Sequence, residues 1–490
     1  MQDFMLLSPV TALIVTGLLL VVGESFLNGK NRSFLSLVGI VGCAAAMGFC
    51  WWVTTKLGQG ELAQGKATLF SGMLVADKTA MFLTGLFSAS TIFALLMGTA
   101  HQDAHEWKVG EYYGLMVLAT SGMAILAMAN DLVTVFIGIE AMSLAVYALV
   151  ASRRKDRKSA EGGLKYFLMG AFATGFLLYG MALLYGATGT TDLVDIGVKL
   201  AADPTSPIIL AAVFMLIVAF GFKIAAVPFH MWTPDAYEGA PSPVTAYMAA
   251  AVKAAAVAGL LRVFLTALGG DVIPFGRLGW TTIFGTLAAI TMTVGNLGAL
   301  AQQNIKRMLA YSSVSHAGVI LIGIVAAGVT PNGSAFSSVL YYLAAYSVTT
   351  MGAFAVIVYI GDTNRERVML SDWHGFGASH PLAALVMTVC LLSLGGMPPT
   401  AGFFGKFLVF RSALEAYDNQ LLWLVVVGVI NSMISIYYYL RIVTAMYFRE
   451  PNGEFAPLKR PGVILAMVVA TLLVLQMGIT PGCWLDMIGN

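Results

Sequence analysis

Long apolar stretches separated by short polar loops recur from one end of the chain to the other. Each is close to the about 20 residues that an α-helix needs to cross a bilayer core. The pattern therefore predicts spans over 6–27, 34–53, 77–98, 112–129, 131–151, 164–188, 207–229, 243–268, 279–301, 308–328, 336–360, 381–410, 420–447 and 462–481. This is an all-α integral membrane fold of about 14 transmembrane helices. The cut at Asn130-Asp131 divides one long run into two. Two spans are interrupted, the seventh at Pro228 and the twelfth at Gly395-Gly396-Met397-Pro398-Pro399. Proline lacks a backbone donor and clashes with the preceding turn, so a helix breaks there.

A faint repeat at an offset of 175 residues sets Lys165-Tyr166-Phe167-Leu168 opposite Leu340-Tyr341-Tyr342-Leu343, and Thr174 opposite Thr349. Each interrupted span is then the fourth helix of a five-helix copy, the copies being spans 4–8 and 9–13. An odd helix number inverts the second copy in the membrane, as in many secondary transporters. The expected segments are an N-terminal three-helix piece over 1–111, repeats over 112–268 and 269–447, and a C-terminal helix over 448–490. Basic residues crowd one set of alternate loops, most densely at Arg153-Arg154-Lys155 and Arg157-Lys158. The positive-inside rule assigns that set to the cytoplasm and both termini to the periplasmic side of a bacterial inner (plasma) membrane. The cluster itself reads as a solvated loop that sets topology.

Composition sharpens this picture. Of the 490 residues 58% are hydrophobic and 11% charged, against about 25% charged in soluble domains. A net charge of +2, dispersed among loops, does not suit nucleic acid. Cys43, Cys50, Cys390 and Cys483 have no CxxC spacing, so no disulfide framework, iron–sulfur cluster or zinc site is expected. No glycine-rich nucleotide loop or Walker motif is present. His101 and His105, four apart beside Asp103 and Glu106, read as a solvated loop face rather than a metal site.

The chemistry is expected from ionisable residues inside the spans: Glu140, Lys165, Lys223, Lys253 and Lys406, with His230 beside the first break and His316 in the tenth span. A charge at a membrane helix centre costs roughly 2.5–3.5 kcal/mol on insertion scales, so such residues mark ion paths by default. Without water an unpaired lysine sheds its proton more readily, and a nearby carboxylate acts the other way. Glu140 would thus set the proton occupancy of Lys223, with Lys165 competing for the same carboxylate. A static buried ion pair that fixes helix packing is the alternative. Lys406 reads either as a counterpart of Lys223 beside the second break or as a lysine snorkelling to the interface. His230 reads equally as a proton relay or as a ring bonded to the unwound backbone. His316, in Tyr311-Ser312-Ser313-Val314-Ser315-His316, lines a wet half-channel or a packing network.

Lys223 through Pro228-Phe229-His230-Met231-Trp232-Thr233-Pro234-Asp235 to Gly239-Ala240-Pro241, with Lys253 following, resembles a signature of the proton-pumping antiporter-like subunits of respiratory complex I. Glu140, the Lys306-Arg307 to His316 block and the Gly395 to Phe403 block match further motifs of that family, and the resemblance covers nearly the whole chain. Lys406 and the short tail after the last span favour its ND2-like branch over the larger paralogues and the related Mrp sodium/proton antiporter subunits. The resemblance implies that Glu140 tunes Lys223, the central proton carrier, with Lys165 beside them. Lys253, near His230, would continue a hydrophilic axis to Lys406 and a periplasmic exit. It implies no cofactor in this chain; NAD, FMN, iron–sulfur clusters and quinone would be bound by other subunits. The implied partners are a subunit M-like chain on one side, quinone-end small membrane subunits on the other, and lipids, but no nucleic acid.

Overall fold

The computed structural model describes residues 2–27, 32–57, 65–104, 111–201, 206–269, 279–329, 333–362, 366–416 and 419–488. Among them the long helices are α1 (Ser8–Leu27), α2 (Arg32–Lys56), α3 (Lys78–Ala104), α4 (Tyr112–Met128), α5 (Leu132–Val150), α6 (Arg157–Thr188) and α7 (Pro207–Lys223). A short α8 (Thr233–Gly239) follows the first break. Next come α9 (Ser242–Ala267), α10 (Trp280–Leu300), α11 (Ile305–Val329), α12 (Gly333–Ile360), α13 (Pro381–Gly395), α14 (Ala401–Glu415), α15 (Leu422–Phe448) and α16 (Pro461–Ile479). Eleven helices among the described residues are long and apolar enough to cross a membrane, and Tyr112–Met128, Pro207–Lys223 and Pro381–Gly395 are shorter apolar helices. The chain is a multi-span membrane protein.

The cut at Asn130-Asp131 has a local cause. Asp131 is extended and its carboxylate accepts from Val133 N–H, an N-cap that starts α5 afresh. A hairpin that hydrophobic periodicity did not reveal, β1 (Lys66–Leu69) paired antiparallel with β2 (Leu74–Asp77), closes the same end. Its turn needs positive φ at Phe70, Ser71 and Gly72. Asn130 ties it down by donating to Gly72 O and to Asp192.

The helices differ sharply in burial. For α1 and α2 only 33% and 39% of the apolar window is enclosed, whereas for α9 and α11 it is 89% and for α12 it is 100%. The enclosed helices carry Lys253, His316, Tyr342 and Tyr346, so the polar residues lie in the interior rather than toward lipid. In α9 a π-helical turn, Met248–Val252, directly precedes Lys253. Such turns frequently mark functional positions in helices.

Both interrupted spans break where expected, and the freed backbone groups find partners, as a membrane interior demands. After α7 the chain passes through Ala225 at φ 62°. Val227 N–H then donates to Thr291 Oγ1 at 3.0 Å, and Trp232 Nε1–H donates to Phe222 O at 3.2 Å. Trp232 also stacks on Tyr166 of α6, ring centroids 4.1 Å apart. At the second break α13 ends at Gly395, Gly396 takes φ 81°, and Gly402 N–H donates to Ser393 Oγ at 3.0 Å.

Two surface expectations need correction. His101 is buried within α3, 1% exposed, with Nε2 3.4 Å from a Glu366 oxygen, because α3 runs a turn past the predicted span. His105 and Glu106 lie outside the described residues. The basic cluster is solvated only in part. Arg153 turns inward to Glu366 at 3.3 Å, and Lys158 bonds Glu238 at 2.7 Å.

Candidate functional site

The site is a row of polar contacts across the enclosed helices. At one end Glu140, Ser143 and Tyr147 share a face of α5, being three and seven residues apart. Lys223, the last residue of α7, points at that face. Its ammonium donates to Ser143 Oγ at 2.8 Å and to Tyr147 OH at 3.4 Å, and lies 3.8 Å from Glu140 Oε1. The same carboxylate oxygen accepts from Thr174 at 2.7 Å. Glu140 and Lys223 therefore meet as the sequence predicts. Ser143 and Tyr147 were missed, although their spacing from Glu140 was a readable signal.

Lys165 does not join them. It donates to Asp235 Oδ2 at 2.8 Å and pairs with Glu161 at 2.6 Å, with 44% of its side chain exposed. The reason is helical rise: Glu140 meets α6 at Thr174, nine residues beyond Lys165, or about 13 Å along the axis. Competition between Lys165 and Lys223 for Glu140 is thereby excluded in this arrangement. Asp235 also accepts from Arg307, which reaches Glu238 too, at 2.7 and 2.9 Å. Burial acts to raise the pKa of both carboxyls. The bonds from Lys165 and Arg307 outweigh it for Asp235, and those from Lys158 and Arg307 for Glu238, so both lie below their usual values.

Lys253, 3% exposed on α9, has a different environment. Its ammonium donates to the backbone carbonyl of Ser313 at 2.7 Å and to the Ser313 hydroxyl. His316, one turn further along α11, bonds Tyr342 OH through Nδ1 at 2.6 Å and Tyr439 OH through Nε2 at 3.1 Å. Its ring lies 4.8 Å from that of Tyr346. A small cavity lined by Ser315, His316, Asn431, Ser435 and Tyr438 separates it from Lys406. Lys406, 7% exposed, donates to Gly395 O at 3.0 Å across the second break. It turns inward to the carbonyl end of α13, which removes the snorkelling alternative.

His230 stands apart from this row. It is half-buried beside Pro228, with its ring 6.4 Å from Tyr311. Tyr311 and Ser313 are two residues apart on α11, about 200° around the helix, so His230 and Lys253 approach different faces of it.

At one end of the bundle, Glu366 gathers a second cluster that the sequence did not announce. It accepts from Ser242 N–H and Oγ at 3.0 and 2.9 Å, Lys306 at 3.1 Å and Arg153 at 3.3 Å, with His101 at 3.4 Å. Burial would raise its pKa, but Lys306, Arg153 and His101 together hold it well below the usual carboxylate range. Among the described residues no group of three or more His, Cys, Asp or Glu is placed to hold a metal ion.

Residues 129–435 match the family described as the transmembrane region of NADH:quinone oxidoreductase and Mrp antiporters. NADH-quinone oxidoreductase subunit N of Trichlorobacter lovleyi is 43% identical over 484 residues, covering 96% of this chain and 93% of that one. A chain of respiratory complex I from Thermus thermophilus with bound aureothin superposes with a TM-score of 0.80 at 33% identity, over 98% of both chains. A chain of the Mrp complex from Dietzia sp. DQ12-45-1b gives a TM-score of 0.84 over 99% of this chain and 96% of that one, but at 21% identity this likeness shows the fold alone. The chain thus belongs to the antiporter-like, proton-translocating membrane subunits of NADH-quinone oxidoreductase, in the subunit N branch of that family.

Proposed function

We propose that this chain moves protons along the row Glu140, Lys223, Lys253, His316 and Lys406, driven by quinone reduction elsewhere in the complex. The observation that carries the reading is the contrast among three enclosed lysines. Lys223 has a carboxylate 3.8 Å away, whereas the contacts of Lys253 and Lys406 are to neutral oxygens. An opposite charge within about 4–6 Å favours the charged form. A proton held at Lys223 by Glu140 is therefore released toward Lys253 when that attraction is weakened. Tyr346 and His316 lie between Lys253 and Lys406, the exit end of the row. Lys165 acts indirectly, by holding Asp235 and the segment after the first break against α6. His230 is an accessory to that segment.

In this reading the chain is a non-redox subunit, with NAD, FMN, iron–sulfur clusters and quinone bound by its partners. Other complex I subunits are those partners; a subunit M-like chain would flank one side and the quinone-end small subunits the other. Counting each broken helix once gives fourteen passes and two inverted five-helix repeats. Both termini would then be periplasmic in a bacterial inner membrane.

The test is NADH-driven proton uptake by vesicles carrying Lys223→Ala, with assembly and quinone reductase activity measured in parallel. Loss of uptake with normal assembly is expected. Undiminished uptake removes Lys223 from the pathway, and failure of assembly alone returns the ion pair to a packing role.

A further inference from the structure

Ser313 links Lys253 to the segment following the first break. Its hydroxyl takes a bond from Lys253 Nζ and lies 3.4 Å from Tyr237 OH on α8. Ser313 is fully enclosed, and Tyr237 is 1% exposed. A hydroxyl has one donor and two acceptor sites, so the direction of its single hydrogen is set by what Lys253 and Tyr237 offer. Lys253 also donates to the Ser313 carbonyl at 2.7 Å, which anchors its head whether or not the hydroxyl is present.

We infer that Ser313 is a positioning residue whose hydroxyl turns with the proton state of Lys253 and passes that state to Tyr237. The inference rests on the proposed role of Lys253. An ammonium group has three donors and no acceptor. Beside charged Lys253 the Ser313 oxygen must accept, and its own hydrogen faces a tyrosine oxygen. Once Lys253 is neutral its nitrogen gains a lone pair. The Ser313 hydrogen then turns to that nitrogen, and a tyrosine hydroxyl donates to Ser313 in its place. No covalent bond is made or broken by this reorientation. Tyr237 lies between Asp235 and Glu238, whose carboxylates hold Lys165, Arg307 and Lys158. The state of the buried lysine is thus read at the ion-paired segment that begins where Lys223 ends its helix.

The experiment uses the intact complex in vesicles with Ser313→Ala, Ser313→Thr and Lys253→Ala, measuring NADH-driven proton uptake alongside assembly. Ser313→Ala is expected to lower uptake about tenfold at normal assembly. Ser313→Thr, which keeps a hydroxyl, is expected to recover most of the rate. Uptake by Ser313→Ala equal to that of the unaltered complex overturns the inference, as does a threonine variant as defective as the alanine one. If Ser313→Ala does not assemble, Tyr237→Phe decides: a loss of about threefold supports the coupling and an unchanged rate overturns it. Normal uptake by Lys253→Ala removes the proposed role of Lys253 itself. Its loss beside a normal Ser313→Ala removes only the inference about Ser313.

Discussion

At the residue scale, the contact that matters most is Glu140 to Lys223 at 3.8 Å. Two unit charges about 4 Å apart attract by about 1 kcal/mol in water and about 4 kcal/mol at an effective dielectric near 20. Glu140 is 21% exposed on its side chain, so the value lies between these limits. Since 1.36 kcal/mol corresponds to tenfold in proton occupancy, Glu140→Gln is expected to cut proton uptake by about tenfold while the complex still assembles. Glu140→Asp, one methylene shorter, should fall between. Vesicle uptake assays check both, and equal rates in all three proteins would dismiss Glu140 as the tuning group. Glu140 and Lys223 were legible in the sequence because an ionisable residue in an apolar run is conspicuous. Ser143 and Tyr147 stood out only by their spacing from Glu140, and the partner of Ser313 not at all, because hydroxyls in membrane helices usually satisfy themselves on their own backbone. Thr120 and Thr349, bonded to the carbonyls four residues back, do so here. The misplacement of Lys165 had another cause: neighbouring helices say nothing in sequence about how far one has slid along the other.

At the scale of elements, both helix breaks were legible from proline and glycine, but the groups that stabilise them were not. Gly396 illustrates the difference. Its φ of 81° suits glycine, and a Cβ there would lie 2.9 Å from Lys406 Cδ. A left-handed backbone costs other residues roughly 1–2 kcal/mol, and the clash would also push Lys406 off Gly395 O. Gly396→Ala is therefore expected to lose most proton uptake and to lower the thermal stability of the purified complex. Gly395→Ala should be mild, since its nearest neighbour would be at 3.6 Å. Equal behaviour of the two variants would sever Lys406 from the geometry of the break. The Glu366 cluster, equally invisible in sequence, clamps the start of α9 to the start of α11. Lys306 and Ser313 are seven residues apart on α11 and share a helix face, and Ser242 opens the helix that carries Lys253. Glu366 thereby ties the helix that carries Lys253 to the helix that carries Ser313. Its pKa is depressed, so its stabilisation is complete above the unfolded carboxylate value and lost only as pH falls through the lower folded value. Acidification from pH 7 to 5 should leave the clamp closed. Glu366→Gln leaves the fully buried Lys306 with the Ala240 carbonyl but without its counter-charge, and breaking such a pair costs about 3–5 kcal/mol. A lowered melting temperature of the complex at pH 7 would register this, and an unchanged one would show that the clamp adds no stability.

For the whole molecule, the two ends of the bundle differ in charge. Arg153, Lys158, Lys306, Arg307 and Arg367 meet at one end, where their carboxylate partners are Glu238, Asp235, Glu366 and Asp362. Asp77, Asp131 and Asp192 gather at the other around the hairpin, with Arg262 donating to both oxygens of Asp77 at 2.7 and 2.8 Å. Arg154, Lys155 and Arg157, all exposed, lie at the first end, which the positive-inside rule assigns to the cytoplasm. Helix α6 makes this testable, because its 32 residues span about 48 Å. That exceeds a hydrocarbon core of about 30 Å, so both of its ends emerge into water. Lys155 precedes α6 and Asp195 follows it, and both are exposed. Cys483 is the exposed native cysteine and would first be replaced by serine, whereas Cys43, Cys50 and Cys390 are buried. A membrane-impermeant maleimide added to intact cells is expected to label Asp195→Cys and not Lys155→Cys. Inverted vesicles should give the opposite result. Reversed labelling would turn the whole molecule over, and with it the direction of proton release proposed for Lys406.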